Sequence, residues 1–300
     1  MSPRKLLAAI LANRKSKAGL YLVTAFVIVA IFGPLFCADP KAFLSLPLSP
    51  PSTKHWFGTN GMGQDVFAQT IVGSRPTLLI AFIAGVSITC IGAFIGASAA
   101  YIGGKYDDIV SLMINVFLVI PGLPLMIVMA AFFPPGPLSI LFVLVFTGWA
   151  WQARVIRAQT LTLRSRGFVD AAKLSGESTF RIVVIEILPN MFSLLASAFI
   201  GTTVYAIGAQ VGLEFIGLGD VSQVTWGTNL YWASNDLALL TGSWWTFLPT
   251  GLCIALVGFG LTLINFGIDE ITNPRLRSLR IWKQRLGPTV QEGWTPVEKL

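Results

Sequence analysis

Charge is scarce in this chain: 12% of its 300 residues are Asp, Glu, Lys or Arg and 54% are hydrophobic, against roughly 25% charged residues in a soluble domain. That excludes a soluble globular protein. Histidine is scarcer still, with His55 alone, so no HExxH or paired-histidine metal site exists. The same histidine lies in a loop and no GxSxG elbow is present, which leaves no Ser-His-Asp hydrolase. The phosphate-cradling GxxxxGK[ST] loop is absent as well, so the chain cannot hydrolyse ATP by itself. No catalytic residue, metal or cofactor is expected. Three cysteines, Cys37, Cys90 and Cys253, form no CxxC motif and imply no disulfide framework. Ionisable residues are almost missing from the apolar runs, whereas an ion-coupled secondary transporter would usually carry them there.

What is present is hydrophobic length. Apolar runs near 18–36, 77–102, 109–132, 137–153, 191–213 and 245–268 match the roughly 20 residues that span a bilayer core about 30 Å thick. They predict an all-α integral membrane protein with six transmembrane helices. Leu35-Phe36-Cys37 mimics a lipoprotein cleavage site, but Phe36 is too bulky for the position before the cysteine, so the first run reads as a retained span. Net charge is +7, yet the cations fall between apolar runs and not on one face beside aromatics, which argues against nucleic acid. Eighteen of the 21 Lys and Arg lie on one side of the spans, and only Lys41, Lys54 and Arg75 lie on the other. By the positive-inside rule both termini are cytoplasmic. The expected organisation is a cytoplasmic segment 1–17, a six-span domain 18–274 and a cytoplasmic tail 275–300.

Between spans four and five, on the same cytoplasmic side, lies a polar island at 164–190. Phe168 to Leu174 can form about two helical turns, with Ala171 and Ala172 as a side-chain-poor face open to close approach. Gly176 suits a left-handed helix stop. Ser178 can cap a second helix, supported by a Glu177–Arg181 pair at i,i+4, and Pro189 marks the next element. Helix, corner, helix is the expected result, and it reads as a docking element.

Other stretches carry packing signals. Gly92 and Gly96 stand at GxxxG spacing in the second span, with Gly85 and Ser98 nearby, and Gly251 and Ala255 at small-xxx-small spacing in the last. Pro121 and Pro124 are expected to kink the third span, either lining a water-filled path or serving packing alone. Trp149, Trp151 and Arg154 are expected to mark the cytoplasmic boundary of the fourth span, and Arg157, Arg164 and Arg166 lead into the island as anchors or partner contacts. The loop from 37 to 76 is Pro-rich and is expected to carry a short interfacial helix with Trp56 and Phe57 at headgroup level. Gly212 to Gly219 permits a re-entrant or tightly turned segment, where Glu214 is either solvated at the rim or faces a path, the rim being favoured.

Taken together, these stretches resemble a known family. Asp170, Ala171, Ala172 and Gly176 followed by Leu188-Pro189 are similar to the cytoplasmic coupling motif of ABC importer permeases. The run from His55 to Asp65, Gly103-Gly104 with Asp107, the run from Gly212 to Gly219, Thr225-Trp226-Gly227 and Asn273-Pro274-Arg275 resemble, in order, the signatures of the dipeptide, oligopeptide and nickel permeases of the DppC/OppC type. Departures are specific. Asn60 and Gln64 replace an Asp and an Arg, Leu112 and Asn115 replace an Arg and an Asp, Glu214 replaces a serine, and Glu186 stands where an apolar residue or histidine is usual. Each pair loses both charges together, as expected of residues that touch.

The resemblance implies the type I ABC importer permease fold, with a coupling helix between spans four and five. It further implies a second permease subunit forming a heterodimer, two cytoplasmic ATP-binding subunits that hydrolyse ATP, an extracytoplasmic solute-binding protein, and transport by alternating access in the cell membrane. Phe168, Asp170, Ala171, Ala172, Leu174, Gly176 and Glu177 would dock the ATPase, and Asn115, Pro121, Pro124 and Glu214 are the candidates for the translocation path. Peptide is the implied solute. The four missing charges and nine tryptophans also suit a neutral oligosaccharide stacked on aromatics, while nickel lacks a histidine or cysteine cluster. A structural membrane scaffold would need no coupling island.

Overall fold

A computed structural model describes residues 13–272, with side chains described through 268. The Asn273-Pro274-Arg275 segment, the C-terminal tail and most of segment 1–17 lie outside the described residues. Helix α1 (Arg14–Phe32) begins where Asn13 accepts the Lys15 N–H at 3.0 Å. Helix α2 (Val66–Ile102) begins where Asp65 accepts the Ala68 N–H at 3.1 Å. Its 37 residues give about 55 Å at 1.5 Å per residue, so one end must project beyond a hydrocarbon core of about 30 Å. The second span was expected from 77. The helix starts earlier because the Asp65 cap, itself 2.8 Å from His55 Nδ1, nucleates it, and Pro76 is tolerated inside it.

Gly103 and Gly104 take left-handed φ values of +74° and +59°, a corner that a Cβ would strain, and α3 (Gly104–Val119) departs from it. Helix α4 (Gly122–Phe132) follows at an angle of 89°. The expected kinked third span is therefore a broken one. Pro121 makes the break, capping α4 from outside, whereas Pro124 lies in the first turn of α4, where a missing N–H costs nothing. Helix α5 (Pro137–Leu163) continues well past the expected end of the fourth span. Trp149 is no boundary anchor: it is buried, 5.2 Å from the Phe117 ring, and only Trp151 of that pair is exposed. Then come α6 (Gly167–Leu174), α7 (Phe192–Phe215), α8 (Trp226–Asn235) and α9 (Leu248–Thr272). Among the described residues five helices are long and apolar enough to cross a membrane, or six if α3 and α4 count as one bent span.

Helix α2 is the mast of the bundle. A Cβ added at Gly92 would lie 2.6 Å from Gln152 Cβ, and one at Gly96 would strike the Ala153 carbonyl, so α5 approaches at backbone distance. Gly85 does the same against Thr203 of α7, and Gly73 lies 3.0 Å, by the same measure, from the Thr225 backbone. The Gly251 and Ala255 pair at small-xxx-small spacing seats no helix among the described residues: nothing lies within 4 Å of a Cβ at Gly251. The small residues that join the first and last spans are instead Gly19 and Gly260, where a Cβ at Gly19 would meet the Gly260 carbonyl at 2.5 Å.

At the end opposite α6, residues 36–65 and the 216–243 segment form a cap. No interfacial helix forms in the first of these. Among the described residues it holds one isolated bridge, Thr59 to Asp65, and side-chain amides organise it. Asn60 Nδ2 donates to Gln64 Oε1 at 3.0 Å, and Gln69 Nε2 donates to the same oxygen at 2.7 Å. Gln64 and Gln69 also donate to the Lys41 and Pro40 carbonyls at 3.1 and 3.2 Å. Positions 60 and 64 do touch, as a neutral amide pair. The buried Trp226 ring nails α8 to α2, its Nε1–H donating to the Thr70 carbonyl at 2.9 Å. Asp236 accepts the Gly61 N–H at 2.9 Å, and partial burial pushes its carboxyl above the usual range against that favourable bond.

Two outcomes follow from this packing. Gly96→Leu should destabilise the isolated chain by about 1–3 kcal/mol through overpacking, read as a lowered melting temperature in detergent, while Gly251→Leu should leave it unchanged. For Asp236 the raised carboxyl means that the folded chain holds its proton more firmly than the unfolded one. Stability present below the ordinary pKa of about 4 is lost as pH rises through the raised value. Asp236→Asn keeps an acceptor for Gly61 and should flatten that decline, measured as melting temperature against pH.

Candidate functional site

The polar island at 164–190 folds into an elbow. Helix α6 is only eight residues long, too short to be stable alone in water, so tertiary contacts must hold it. Val169 and Ala172 supply them, buried against Ile156, Ile182, Ile187 and Met191, with Phe168 packed partly against the same cluster. The opposite face presents Gly167, Asp170, Ala171 and Leu174 at i, i+3, i+4 and i+7, all exposed, and Leu174 is 90% exposed. The expectation that Ala171 and Ala172 share an outward face is corrected here. Adjacent helical residues point about 100° apart, and Ala172 faces inward, as Phe168 largely does.

The corner after α6 is a full Schellman motif. Gly176, at φ +77°, donates its N–H to the Lys173 carbonyl at 3.0 Å, and Glu177 donates to the Ala172 carbonyl at 3.2 Å. Ser178 then caps the next turn by accepting the Arg181 N–H at 3.4 Å. Glu177 pairs with Arg181 at 3.2 Å, and its second carboxylate oxygen is buried with no partner among the described residues. The second arm is not a plain α-helix. An α-turn at Thr179–Arg181 passes into a π-turn at Ile182–Ile187 and back to an α-turn at Leu188–Asn190. Pro189 accounts for the widening, since its ring would press on the Ile185 carbonyl in α geometry. The π-turn lets Ile182, Val183 and Ile187 all face the cluster. Glu186 sits half-exposed on the other side, its carbonyl accepting from Asn190 Nδ2 at 2.7 Å.

The arginines above the elbow tie it to the mast. Arg157 binds Asp107 through two bonds of 2.6 and 2.7 Å, and Arg164 donates to the Ala100 carbonyl at the end of α2 at 2.8 Å. Lys173 Nζ lies 5.7 Å from the centre of the Tyr101 ring, and Phe180 stacks obliquely on Phe94 at 6.4 Å. These are intramolecular struts joining α5 and α6 to the corner between α2 and α3.

None of the four residues expected on a path lines the uncharged groove beside α7. Asn115 lies on an exposed face of α3, Pro121 and Pro124 are exposed at the bend, and Glu214 is 2% exposed. Glu214 is not solvated at a rim. It accepts from Thr225 Oγ1 at 2.6 Å and from Gln210 Nε2 at 2.9 Å, pinning the tight turn between α7 and α8. That groove, of 610 Å³, opens between α5, α7 and α9, lined by Trp151, Gln152, Ser197, Thr202, Tyr205 and Asn265 among others. Ser197 donates to Asn265 Oδ1 at 2.7 Å. The lining carries no charge. Its signature in the sequence was the stripe Ser197, Gly201, Tyr205 at i, i+4 and i+8, hidden inside an apolar span.

Residues 88–278 match the family model described as "Binding-protein-dependent transport system inner membrane component". Among similar proteins, the dipeptide transport system permease protein DppC of Bacillus subtilis (strain 168) is 32% identical over 88% of this chain and 83% of its own length. The oligopeptide transport system permease protein OppC of the same organism is 31% identical over 89% and 87%, and that of Mycobacterium bovis 33% over 90% and 94%. The chain is a multi-pass membrane permease subunit that belongs to the family of binding-protein-dependent transport system inner membrane components.

Proposed function

We propose that this subunit forms half of the translocation pathway of an ATP-driven importer of peptides, with the elbow at 164–190 on the cytoplasmic side as its docking element for an ATPase. The observation that carries this reading is the two-sided α6: one face is fixed in the bundle by Val169 and Ala172, and the other offers Asp170, Ala171 and Leu174 to a partner. An apolar side chain as bare as Leu174 at the tip of a short helix is a natural anchor for a partner's pocket. A second permease completes the pathway, two ATP-binding subunits drive it, and an extracytoplasmic binding protein delivers solute to the cap. Peptide as the solute rests on the relatives named for dipeptide and oligopeptide transport. The uncharged groove beside α7 is this subunit's wall of the pathway. Hydroxyl and amide groups there can exchange hydrogen bonds with any peptide backbone, and Trp151 and Tyr205 offer apolar faces to its side chains.

Movement reaches the groove through the struts. ATP binding would draw the docked elbow inward, and α5, which carries both Arg157 and the groove residue Gln152, would move with it against α7.

Leu174→Asp should weaken ATPase co-purification by about 30-fold or more, the loss of a hot-spot side chain, and abolish peptide uptake while the chain still inserts. Unchanged uptake with unchanged ATPase recovery would sink the docking assignment. Competition with unlabelled peptides and oligosaccharides in the same uptake assay separates the two solutes. For the strut, Asp107→Asn and Arg157→Gln should each uncouple ATP hydrolysis from uptake. A double-mutant cycle on stability should return a coupling of about 1–3 kcal/mol for this charge-assisted pair.

A further inference from the structure

A second groove, more apolar than the first, lies on the side of the bundle where α1, α2, α7 and α9 meet. It is a groove of 580 Å³ whose lining includes Val27, Leu79, Phe82, Phe199, Ile207 and Leu261, and Arg75 is its one charged side chain. The Phe82 and Phe199 rings meet edge to face at 5.6 Å along its wall. Arg75 is exposed and makes no hydrogen bond or ion pair with any described residue. Its depth can be read from α2. Arg75 is 27 residues from Ile102, about 40 Å along the helix at 1.5 Å per residue. With Ile102 at one boundary of a hydrocarbon core about 30 Å thick, Arg75 falls among the headgroups of the opposite leaflet. The apolar walls run from that level down through the hydrocarbon.

We infer that this groove is a binding site for an anionic phospholipid of the cap-side leaflet, its phosphate held by Arg75 and one acyl chain laid between α2 and α7. A guanidinium matches a phosphate with two parallel N–H···O bonds, and no described residue competes for it. An acyl chain suits the remaining wall because lipid is the one apolar ligand present at that depth at high concentration. The inference requires that the helices cross a bilayer and is independent of solute and ATPase.

The test uses the full-length chain with the subunits that co-purify, extracted in mild detergent and reconstituted in nanodiscs of phosphatidylcholine with or without phosphatidylglycerol. Mass spectrometry of lipid retained after delipidation should show phosphatidylglycerol over phosphatidylcholine. Arg75→Gln should cut that preference about fivefold, the factor that one cation contributes at an anionic membrane surface, and Arg75→Lys should restore part of it. A photoreactive residue in place of Phe82 should cross-link to lipid. Equal retention of both lipids, retention unmoved by Arg75→Gln, or cross-linking of position 82 to the second permease subunit would each overturn the inference.

Discussion

In a hydrocarbon solvent apolar side chains gain nothing by leaving lipid for protein, so helices stay together where their backbones come close enough for packing and polar contacts. That constraint falls on α2. Gly85, Gly92 and Gly96 remove the side chains that would hold α7 and α5 away, and Gly73 does the same for the turn before α8. Hydroxyl pairs then bridge the narrow gaps, Thr89 with Thr202 at 3.1 Å and Thr70 with Thr250 at 3.2 Å. The elbow, the groove and the cap are each attached to this one helix, at different heights.

Because the approach is at backbone distance, α2 and α5 behave as one body. A push on the elbow cannot be absorbed by side-chain rearrangement at Gly96, where there is none to rearrange. The Arg157–Asp107 pair extends that body around the Gly103–Gly104 corner into α3. The α3–α4 pair beyond it is free to differ, since the 89° break at Pro121 leaves α4 joined to α3 by a short extended link. The bundle thus divides into a stiff α2–α5 pair and a broken α3–α4 pair.

Much of this could be read from residue order, and the reasons for the misses are physical. Gly176, Ser178 and the Glu177–Arg181 pair sit as local rules dictate, because helix stops and caps depend on a few neighbouring residues. The paired replacement at Asn60 and Gln64 did signal a contact. What could not be read were choices made by tertiary packing: that Ala172 turns inward while Ala171 stays out, that Gly260 and not Gly251 receives α1, and that Trp149 is core. Glu214 misled because an acid near a membrane surface is ordinarily solvated; Gln210 reaches one oxygen from one turn earlier on α7, but only the fold brings Thr225 to the other. The groove escaped because hydroxyls and amides scattered through an apolar span look like ordinary helix residues until α5, α7 and α9 are set side by side.

The neutral groove and the neutral amide pair at the cap are related consequences of one limit. A charge facing a dry helix interface must bring its partner with it or bear a large desolvation penalty. The cap of this chain meets that limit by using amides, where one Gln64 oxygen serves both Asn60 and Gln69 and the amide nitrogens hold the 40–41 backbone. Amide hydrogen bonds survive small shifts in spacing and pH better than a buried ion pair does, because neither partner is left charged when the contact opens. The groove follows the same logic, with a lining that is polar in places but uncharged. In the proposed pathway a fixed charge would hold one solute terminus and hinder release, whereas Ser197, Asn265 and Tyr205 would trade hydrogen bonds with each successive group. A pathway of that kind would leave discrimination to the binding protein proposed to deliver the solute.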